Sequence, residues 1–179
     1  MAAPPVRLAV VLSDLWRTLR ADFSVNPFLD ARLTLLIWRA GQSLKGRPGV
    51  LSFLLRRVCQ VADFMWTRGY IGADLPFSVT AGPGIVLPHG GRGVVLHPSV
   101  RIGARATLYH QVTIGVRDAN PSATLGDDVF IGAGAKVIGE IHLGDGSRVG
   151  ANAVVLKDVP AGMTAVGVPA TNRPNSPWT

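Results

Sequence analysis

LHPSVRIGARATLYHQVTIG at residues 96–115 and LGDDVFIGAGAKVIGEIHLGDGSRVGANAVVLKDV at residues 125–159 decide the fold of this 179-residue chain. In both stretches an aliphatic residue returns at every sixth position, and glycine follows it in six of the ten cases. The ten residues are Leu96, Ile102, Leu108, Ile114, Leu125, Ile131, Val137, Leu143, Val149 and Val155. An amphipathic helix repeats every 3.6 residues and a half-buried strand every second residue, so neither explains this period. A repeat of this kind indicates a solenoid.

Each six-residue unit is expected to form a short strand followed by a turn. The aliphatic side chain points inward, a small or β-branched residue packs at the corner, and glycine permits turn angles that other residues resist. Three such units close one triangular coil, so aliphatic residues three units apart should lie one above the other. The predicted pairs are Leu125 with Leu143, Ile131 with Val149, and Val137 with Val155.

The repeat is interrupted once. The step from Ile114 to the next aliphatic residue, Leu125, is eleven positions instead of six or twelve. The intervening stretch, residues 116–123, is polar and rich in turn-forming residues. We expect a loop that protrudes from a corner of the coil, and protruding loops on rigid scaffolds commonly carry functional residues.

The first part of the chain has a different period. Residues 6–23, 28–44 and 50–67 carry apolar residues at helical spacing, and Asn26-Pro27 would cap the second helix. We therefore predict a mainly β protein, in which a short N-terminal α-helical segment precedes a parallel β-helix. The expected division is 1–70 for the helical segment, 71–171 for the β-helix and 172–179 for a C-terminal tail.

The net charge of +7 is unevenly distributed. Residues 1–70 hold ten Lys and Arg against four Asp and Glu, whereas residues 71–179 hold eight against seven. A nucleic-acid enzyme would carry its basic surface at its site, so the nearly neutral repeat argues against nucleic acid as a partner. The basic helices could instead make peripheral contact with a membrane or an acidic protein. With no signal peptide pattern and no long apolar run, a cytoplasmic location is expected.

Four motifs resemble those of the serine acetyltransferase family of hexapeptide-repeat acyltransferases. They are Gly84-Ile-Val-Leu-Pro-His89, Tyr109-His-Gln-Val-Thr-Ile-Gly115, Ile131-Gly-Ala-Gly-Ala-Lys136 and Gly167-Val-Pro-Ala170, within a stretch from Asp74 to Ala170. The resemblance implies that the β-helix is left-handed and that three copies form a homotrimer. It also implies that acetyl-CoA binds as cosubstrate in the groove between subunits and that no metal is needed.

The resemblance assigns catalysis to His89 and Asp74. In the family, a histidine at the position of His89 takes the proton from the acceptor hydroxyl, and a carboxylate at the position of Asp74 orients it. A hydroxyl needs such a base near neutral pH before it can attack a thioester, and a carboxylate on the far ring nitrogen fixes the tautomer. By the same resemblance, coenzyme A runs along the coils near Val116, Ala133 and Ala151, with Lys136 and Arg148 as candidate partners for its phosphates.

The acceptor is less clear from the sequence. Serine-specific members carry two acidic residues and an Arg-His pair that hold the amino acid, and this chain has Pro88, Pro98 and Pro121-Ser122 at those places. Burying a charged group of serine without a partner would cost several kcal/mol. The sequence therefore favours a sugar or another small hydroxyl compound, with serine as the alternative. The candidate acceptor contacts are Arg92, an extra residue in its turn, together with His97 and His110.

Two other functions remain open on this scaffold. A carbonic anhydrase would need three histidines around zinc, and His89, His97, His110 and His142 include no two that are close in sequence. A non-catalytic trimeric scaffold would not bind coenzyme A, so it would gain no thermal stability from it.

Overall fold

The computed structural model describes residues 8–117 and 121–175. The described chain opens with α1 (Leu8–Val25), α2 (Leu29–Ser43) and α3 (Val50–Ala62), which confirms the three predicted helices. A π-helical segment, Asp63–Ile71, continues α3 and ends at Gly72, whose φ is 72°. No helix within the described ranges combines the length and apolar content needed to cross a bilayer.

Short strands follow, most of them two or three residues long. They are β1 (Thr80–Ala81), β2 (Val95–Leu96), β3 (Arg101–Ile102), β4 (Thr107–Leu108), β5 (Thr113–Gly115), β6 (Thr124–Leu125), β7 (Phe130–Ile131), β8 (Lys136–Ile138), β9 (His142–Leu143), β10 (Arg148–Val149), β11 (Val154–Val155), β12 (Met163–Gly167) and β13 (Ala170–Pro174). A 3₁₀ turn, Pro88–Gly91, lies between β1 and β2.

The strands form the three faces of a left-handed parallel β-helix, as predicted. Face A contains β2, β5, β8 and β11; face B contains β1, β3, β6 and β9; face C contains β4, β7, β10 and β12. The chain visits A, B and C in turn, so each corner between faces recurs once per coil. On face C, β13 adds antiparallel to β12 and extends the terminal hairpin to Pro174, beyond the predicted start of the tail at residue 172. Residues 176–179 of that tail lie outside the described ranges.

The core of the prism is a column of aliphatic side chains. The three predicted pairs, Leu125 with Leu143, Ile131 with Val149, and Val137 with Val155, are confirmed by the strand register, and all six side chains are at most 2% exposed. The interruption at 116–123 does not disturb this order, because β6 pairs with β3 and places Leu125 beside Ile102. Within this stretch Ser122 and Ala123 are buried, and residues 118–120 lie outside the described part of the chain.

A buried polar network joins the helices to the first coil. The guanidinium of Arg39 donates to the Asp22 carboxylate at 2.8 Å and to the carbonyls of Ala81 and Gly82 at 2.7 and 2.6 Å. Asp22 also accepts from the backbone amides of Gly84 and Ile85 at 2.7 and 2.9 Å. Each polar group finds a partner, which is the condition for burying charge.

Asn26 belongs to the same network, and the prediction that it caps α2 is wrong. Phe28 occupies the cap position and makes no side-chain cap hydrogen bond. The Asn26 amide instead donates to the carbonyl of Ile85 at 2.7 Å and accepts from the amide of Leu87 at 3.0 Å. Its side chain therefore binds the extended segment that leads into Pro88–Gly91.

Replacing Arg39 with methionine tests this network. The change leaves the fully buried Asp22 without a cation, so we expect the free energy of unfolding to fall by about 3–5 kcal/mol. Arg17→Met is the matched control, because the Arg17–Asp14 pair is exposed and should contribute about 0–1 kcal/mol. Urea unfolding followed by circular dichroism measures both. Equal losses in the two variants would contradict a structural role for the buried pair.

Candidate active site

One edge of the prism, between faces C and A, collects most of the predicted functional residues. We define this C–A edge by its four stacked corners, 88–94, 109–112, 132–135 and 150–153. Backbone hydrogen bonds join the corners in order: Gln111 N to Arg92 O at 2.8 Å, Gly134 N to His110 O at 3.0 Å, and Asn152 N to Ala133 O at 2.8 Å. Consequently the imidazoles of His89 and His110 lie above the small residues Ala133 and Ala151 along a single edge.

The uppermost corner of this edge is enlarged. Nine positions separate Val86 from Val95, against six between their partners Thr107 and Thr113 one coil below. The additional residues form the turn that contains His89, whose backbone is left-handed at φ 59° and ψ 31°. A similar φ of 56–59° occurs at Gln111 and Asn152 in lower corners of the same edge, so left-handed backbone is a regular feature of these turns. The insertion thus projects His89 away from the prism.

Helix α2 holds this turn in place. Gly90, the next residue, is also left-handed at φ 72°, and a Cβ at this position would approach Oδ2 of Asp30 to 2.9 Å. Asp30 lies in the first turn of α2, and Asn26 just before that helix binds the backbone at Leu87. The position of His89 therefore depends on the helical segment as well as on the repeat.

A cleft of about 530 Å³ opens beside His89. The imidazole of His110 forms one side, with its centroid 5.1 Å from that of His89 and the two rings nearly perpendicular at 82°. Nδ1 of His110 is buried and has no hydrogen-bond partner among the described residues. The guanidinium of Arg92 also lines the cleft, and its Cζ lies 5.2 Å from the ring centroid of Tyr70. The cleft thus brings together two imidazoles and a cation.

The predicted hydrogen bond between Asp74 and His89 is absent from this structure. Nη2 of Arg68 instead binds Oδ1 of Asp74 at 2.8 Å, while Nε of the same guanidinium binds Asp63 at 3.0 Å. Asp74 lies on face A, where it bridges to Val95, and His89 lies on the neighbouring corner. The carboxylate is close to the site, but a cation from the π-helical segment is its partner.

Lys136 and Arg148 lie on the two sides of the C–A edge. Lys136 belongs to β8 on face A, and its Nζ donates to the carbonyl of Gln111 at 2.8 Å and to the hydroxyl of Thr113 at 3.0 Å. Arg148 belongs to β10 on face C, where its Cζ lies 4.4 Å from the ring centroid of Phe130. Two cations therefore flank the part of the edge that carries Ala133 and Ala151.

Val116 and His97 are not brought to the C–A edge within one chain. Both follow strands of face A and lie on the other edge of that face, between faces A and B. Nδ1 of His97 is 2.8 Å from the hydroxyl of Ser99, which lies on the same corner. His97, predicted as an acceptor contact, therefore lies away from His89 within a single chain, because six-residue units place the two on different corners.

The sequence did not identify Arg68, Tyr70 or Gln111 as residues of this site. Arg68 and Tyr70 lie in the segment expected to end the third helix, which becomes π-helical from Asp63. In a π-helix residues five apart lie close together, so Arg68 can bind both Asp63 and Asp74. Apolar periodicity does not report this change of helix type.

A larger groove of about 750 Å³ lies along face B. His142 and Lys45 line it, together with Ser99 and Ser122 of the A–B corners. It contains one imidazole with no second ring beside it, so the smaller cleft is the better candidate for proton transfer. Among the residues described, no three of His, Cys, Asp and Glu lie close enough together to hold a metal ion.

The fold and the edge define a class, the acyltransferases built from hexapeptide repeats. Residues 122–157 match the family described as "Bacterial transferase hexapeptide (six repeats)". Serine acetyltransferase from Helicobacter pylori strain J99 is 40% identical over 139 residues, which is 76% of this chain and 77% of that protein. The chain therefore belongs to the serine acetyltransferase family, and the prediction of an acetyl-CoA-dependent acyltransferase is confirmed.

Solved structures of relatives agree with this assignment. Serine acetyltransferase from Neisseria gonorrhoeae superposes with a TM-score of 0.71 at 25% identity, covering 96% of this chain and 67% of that one. The soybean enzyme complexed with serine superposes with a TM-score of 0.70 at 28% identity, covering 91% and 69%. The similarity in fold therefore extends through the N-terminal helices.

Gly90→Ala tests whether the enlarged turn positions His89. Gly46→Ala is the matched control, because Gly46 has a similar φ of 69° and no other atom lies within 4 Å of the place its Cβ would take. Both variants should lose about 1–2 kcal/mol of stability from the left-handed backbone. Only Gly90→Ala should also slow thiol release from acetyl-CoA, by about tenfold or more, because small displacements of a catalytic group are costly. Unchanged turnover in Gly90→Ala would separate this turn from catalysis.

Proposed function

We propose that this protein transfers the acetyl group of acetyl-CoA to the side-chain hydroxyl of serine. The observation that carries the proposal is the 40% identity with a serine acetyltransferase over three quarters of both chains. The relatives support serine, the alternative acceptor in the sequence analysis, over the sugar or other hydroxyl compound that the sequence alone favoured. The cleft beside His89 adds a cation, Arg92, suited to the carboxylate of an amino acid.

His89 acts as the general base in this proposal. Its imidazole takes the hydroxyl proton of serine while the serine oxygen bonds to the thioester carbonyl carbon. The tetrahedral intermediate then breaks its C–S bond, and the imidazolium returns the proton to the departing thiolate of coenzyme A. Direct transfer needs no covalent bond to the protein, and the exposed position of His89 on its turn leaves the imidazole accessible to both substrates.

Asp74 orients His89 through its carboxylate. Its Oδ1 lies 2.8 Å from Nη2 of Arg68 as an ion pair, but this buried oxygen has no partner with hydrogen-bond geometry among the described residues. A carboxylate can accept several hydrogen bonds, so Arg68 and an imidazole N–H can share it. His110, whose ring lies against that of His89, limits the orientations open to the base.

Arg92 replaces the missing Arg-His pair as the group that binds the carboxylate of serine. The position of the family's pair is taken here by Pro121-Ser122, and Ser122 is buried with its hydroxyl donated to the carbonyl of Gly115. Arg92, in contrast, is exposed within the cleft and backed by Tyr70. A guanidinium can bind a carboxylate through two parallel hydrogen bonds, which would orient the hydroxyl toward His89.

Coenzyme A lies along the C–A edge, with its pantetheine arm beside Ala133 and Ala151. Small side chains there permit approach to the backbone, and Lys136 and Arg148 flank the edge as partners for phosphates. Val116 and His97 lie on the opposite edge of the same chain. In a homotrimer, the opposite edge of a neighbouring subunit can close the groove and contribute both residues. The proposal therefore includes a trimer.

His89→Ala should abolish detectable turnover because no other described imidazole is placed to accept the hydroxyl proton from the same position. His142→Ala is the control, since His142 is an exposed histidine of face B and should retain the wild-type rate. Thiol release from acetyl-CoA with serine measures activity, and light scattering checks that both variants keep the oligomeric state. A wild-type rate in His89→Ala would overturn the assignment of the base.

Arg92→Gln tests the acceptor. With serine, we expect KM to rise by about ten- to a hundredfold through loss of a charge-assisted contact, while KM for acetyl-CoA stays unchanged. Arg101→Gln, on face B, removes the same charge elsewhere and should leave both constants unaltered.

An acceptor panel of serine, homoserine and sugars completes this test. Release of coenzyme A with a sugar but not with serine would overturn serine as the acceptor. No release with any acceptor, together with no rise in Tm on adding coenzyme A, would favour a non-catalytic scaffold.

A further inference from the structure

Helix α3 exposes its apolar side chains to solvent. None of its residues is buried, and Leu51, Leu54, Val58 and Val61 are between 54 and 65% exposed. These four are spaced three or four residues apart, so they form a stripe along one side of the helix. Val50, Phe53 and Leu55 widen the exposed apolar surface to about 200° of the circumference, at 100° per residue.

The opposite side of α3 is the more polar one and faces the protein. Its half-buried residues are Ser52, Arg56, Cys59 and Ala62. Burial raises the pKa of the Cys59 thiol, as expected for a group turned away from water. A helix of a globular protein normally turns its apolar side inward, so α3 has the reverse arrangement.

The charged residues of α3 and of the segment just before it are all positive. Residues 45–62 contain Lys45, Arg47, Arg56 and Arg57 and no acidic residue. Arg57 lies within the apolar surface, where its Cζ is 5.1 Å from the ring centroid of Phe53. A long cationic side chain of this kind can place its aliphatic part among apolar groups and its charge at a polar boundary.

We propose that α3 is a docking surface for an anionic membrane, on which it lies parallel to the lipid surface. An exposed apolar half with flanking cations is the pattern of interfacial helices, whose binding combines burial of apolar area with attraction to anionic lipid. Charge complementarity favours this occupant over a second copy of α3, because two such surfaces would bring together cations with no acidic partner. An apolar surface of about 200° is also wider than the stripe of about 100° that a helix buries against protein.

Membrane docking would place the active site near the lipid surface. The π-helical segment continues α3 directly and ends at Ile71, which lines the cleft beside His89. Tyr70, next to it, packs under Arg92. The two sites are therefore joined by one continuous helical element, although neither the docking surface nor its test depends on the acceptor proposed above.

Sedimentation of the full-length protein with vesicles tests the proposal. We expect binding to vesicles of phosphatidylcholine with phosphatidylglycerol, weak binding to phosphatidylcholine alone, and weaker binding at high ionic strength because salt screens the attraction. The double variant Leu54→Asp, Val58→Asp should lose binding by about tenfold or more, since it removes apolar area and adds negative charge. Leu29→Asp is the matched control, as Leu29 is an exposed leucine, 78% accessible, on α2 rather than α3.

The oligomeric state of each variant, measured by light scattering without vesicles, separates membrane from protein contact. Unchanged assembly with lost vesicle binding supports the proposal. Dissociation of the double variant would show instead that α3 contacts another copy of the chain, and it would overturn the proposal. Absence of wild-type binding, equal binding to both vesicle types, or equal loss in Leu29→Asp would do the same.

Discussion

The parallel stacking of one coil on the next is the constraint on which the rest of this structure depends. Each short strand forms its hydrogen bonds with the coils above and below, and each aliphatic residue packs in a column that permits no change of register. An additional residue therefore cannot remain in a face and must leave the prism at a corner. The chain departs from the repeat in two places, the turn at 88–93 and the loop at 116–123, and both lie at corners. Insertions are thus confined to the edges of the prism, and one of these edges carries His89.

The open upper end of the prism requires a second element. A terminal coil has backbone groups that no further coil can satisfy, and burying them unpaired would be costly. Here Asp22, Asn26 and Arg39 supply those partners from α1, α2 and the residues between them. The same contacts hold the extended segment that leads into the turn of His89. The helical segment therefore completes the end of the β-helix and shapes the corner that carries His89.

The candidate site contains parts that the coil places and parts that it leaves free to vary. His89, the small residues Ala133 and Ala151 and the flanking cations Lys136 and Arg148 are all placed along the C–A edge by the coil. The candidate acceptor contacts lie instead in turns, which the coil constrains less. Among the described residues Ser122 is buried, whereas Arg92 is exposed in the enlarged turn. Specificity can change there without disturbing the core.

The sequence by itself determined the prism, because the six-residue period specifies inward-facing positions and a coil of three units specifies which of them stack. It also indicated that the first part of the chain is helical and that His89 lies outside the six-residue repeat. Tertiary structure alone decided which turns share an edge: His89, His110, Ala133 and Ala151 meet, whereas His97 and Val116 lie on the opposite edge. It also decided that Asn26 binds the first coil rather than capping α2, that Arg68 takes the carboxylate of Asp74, and that α3 turns its apolar side outward. Periodicity reports which residues repeat within a segment, but the partner of a polar group or of a helix face depends on how separate segments pack.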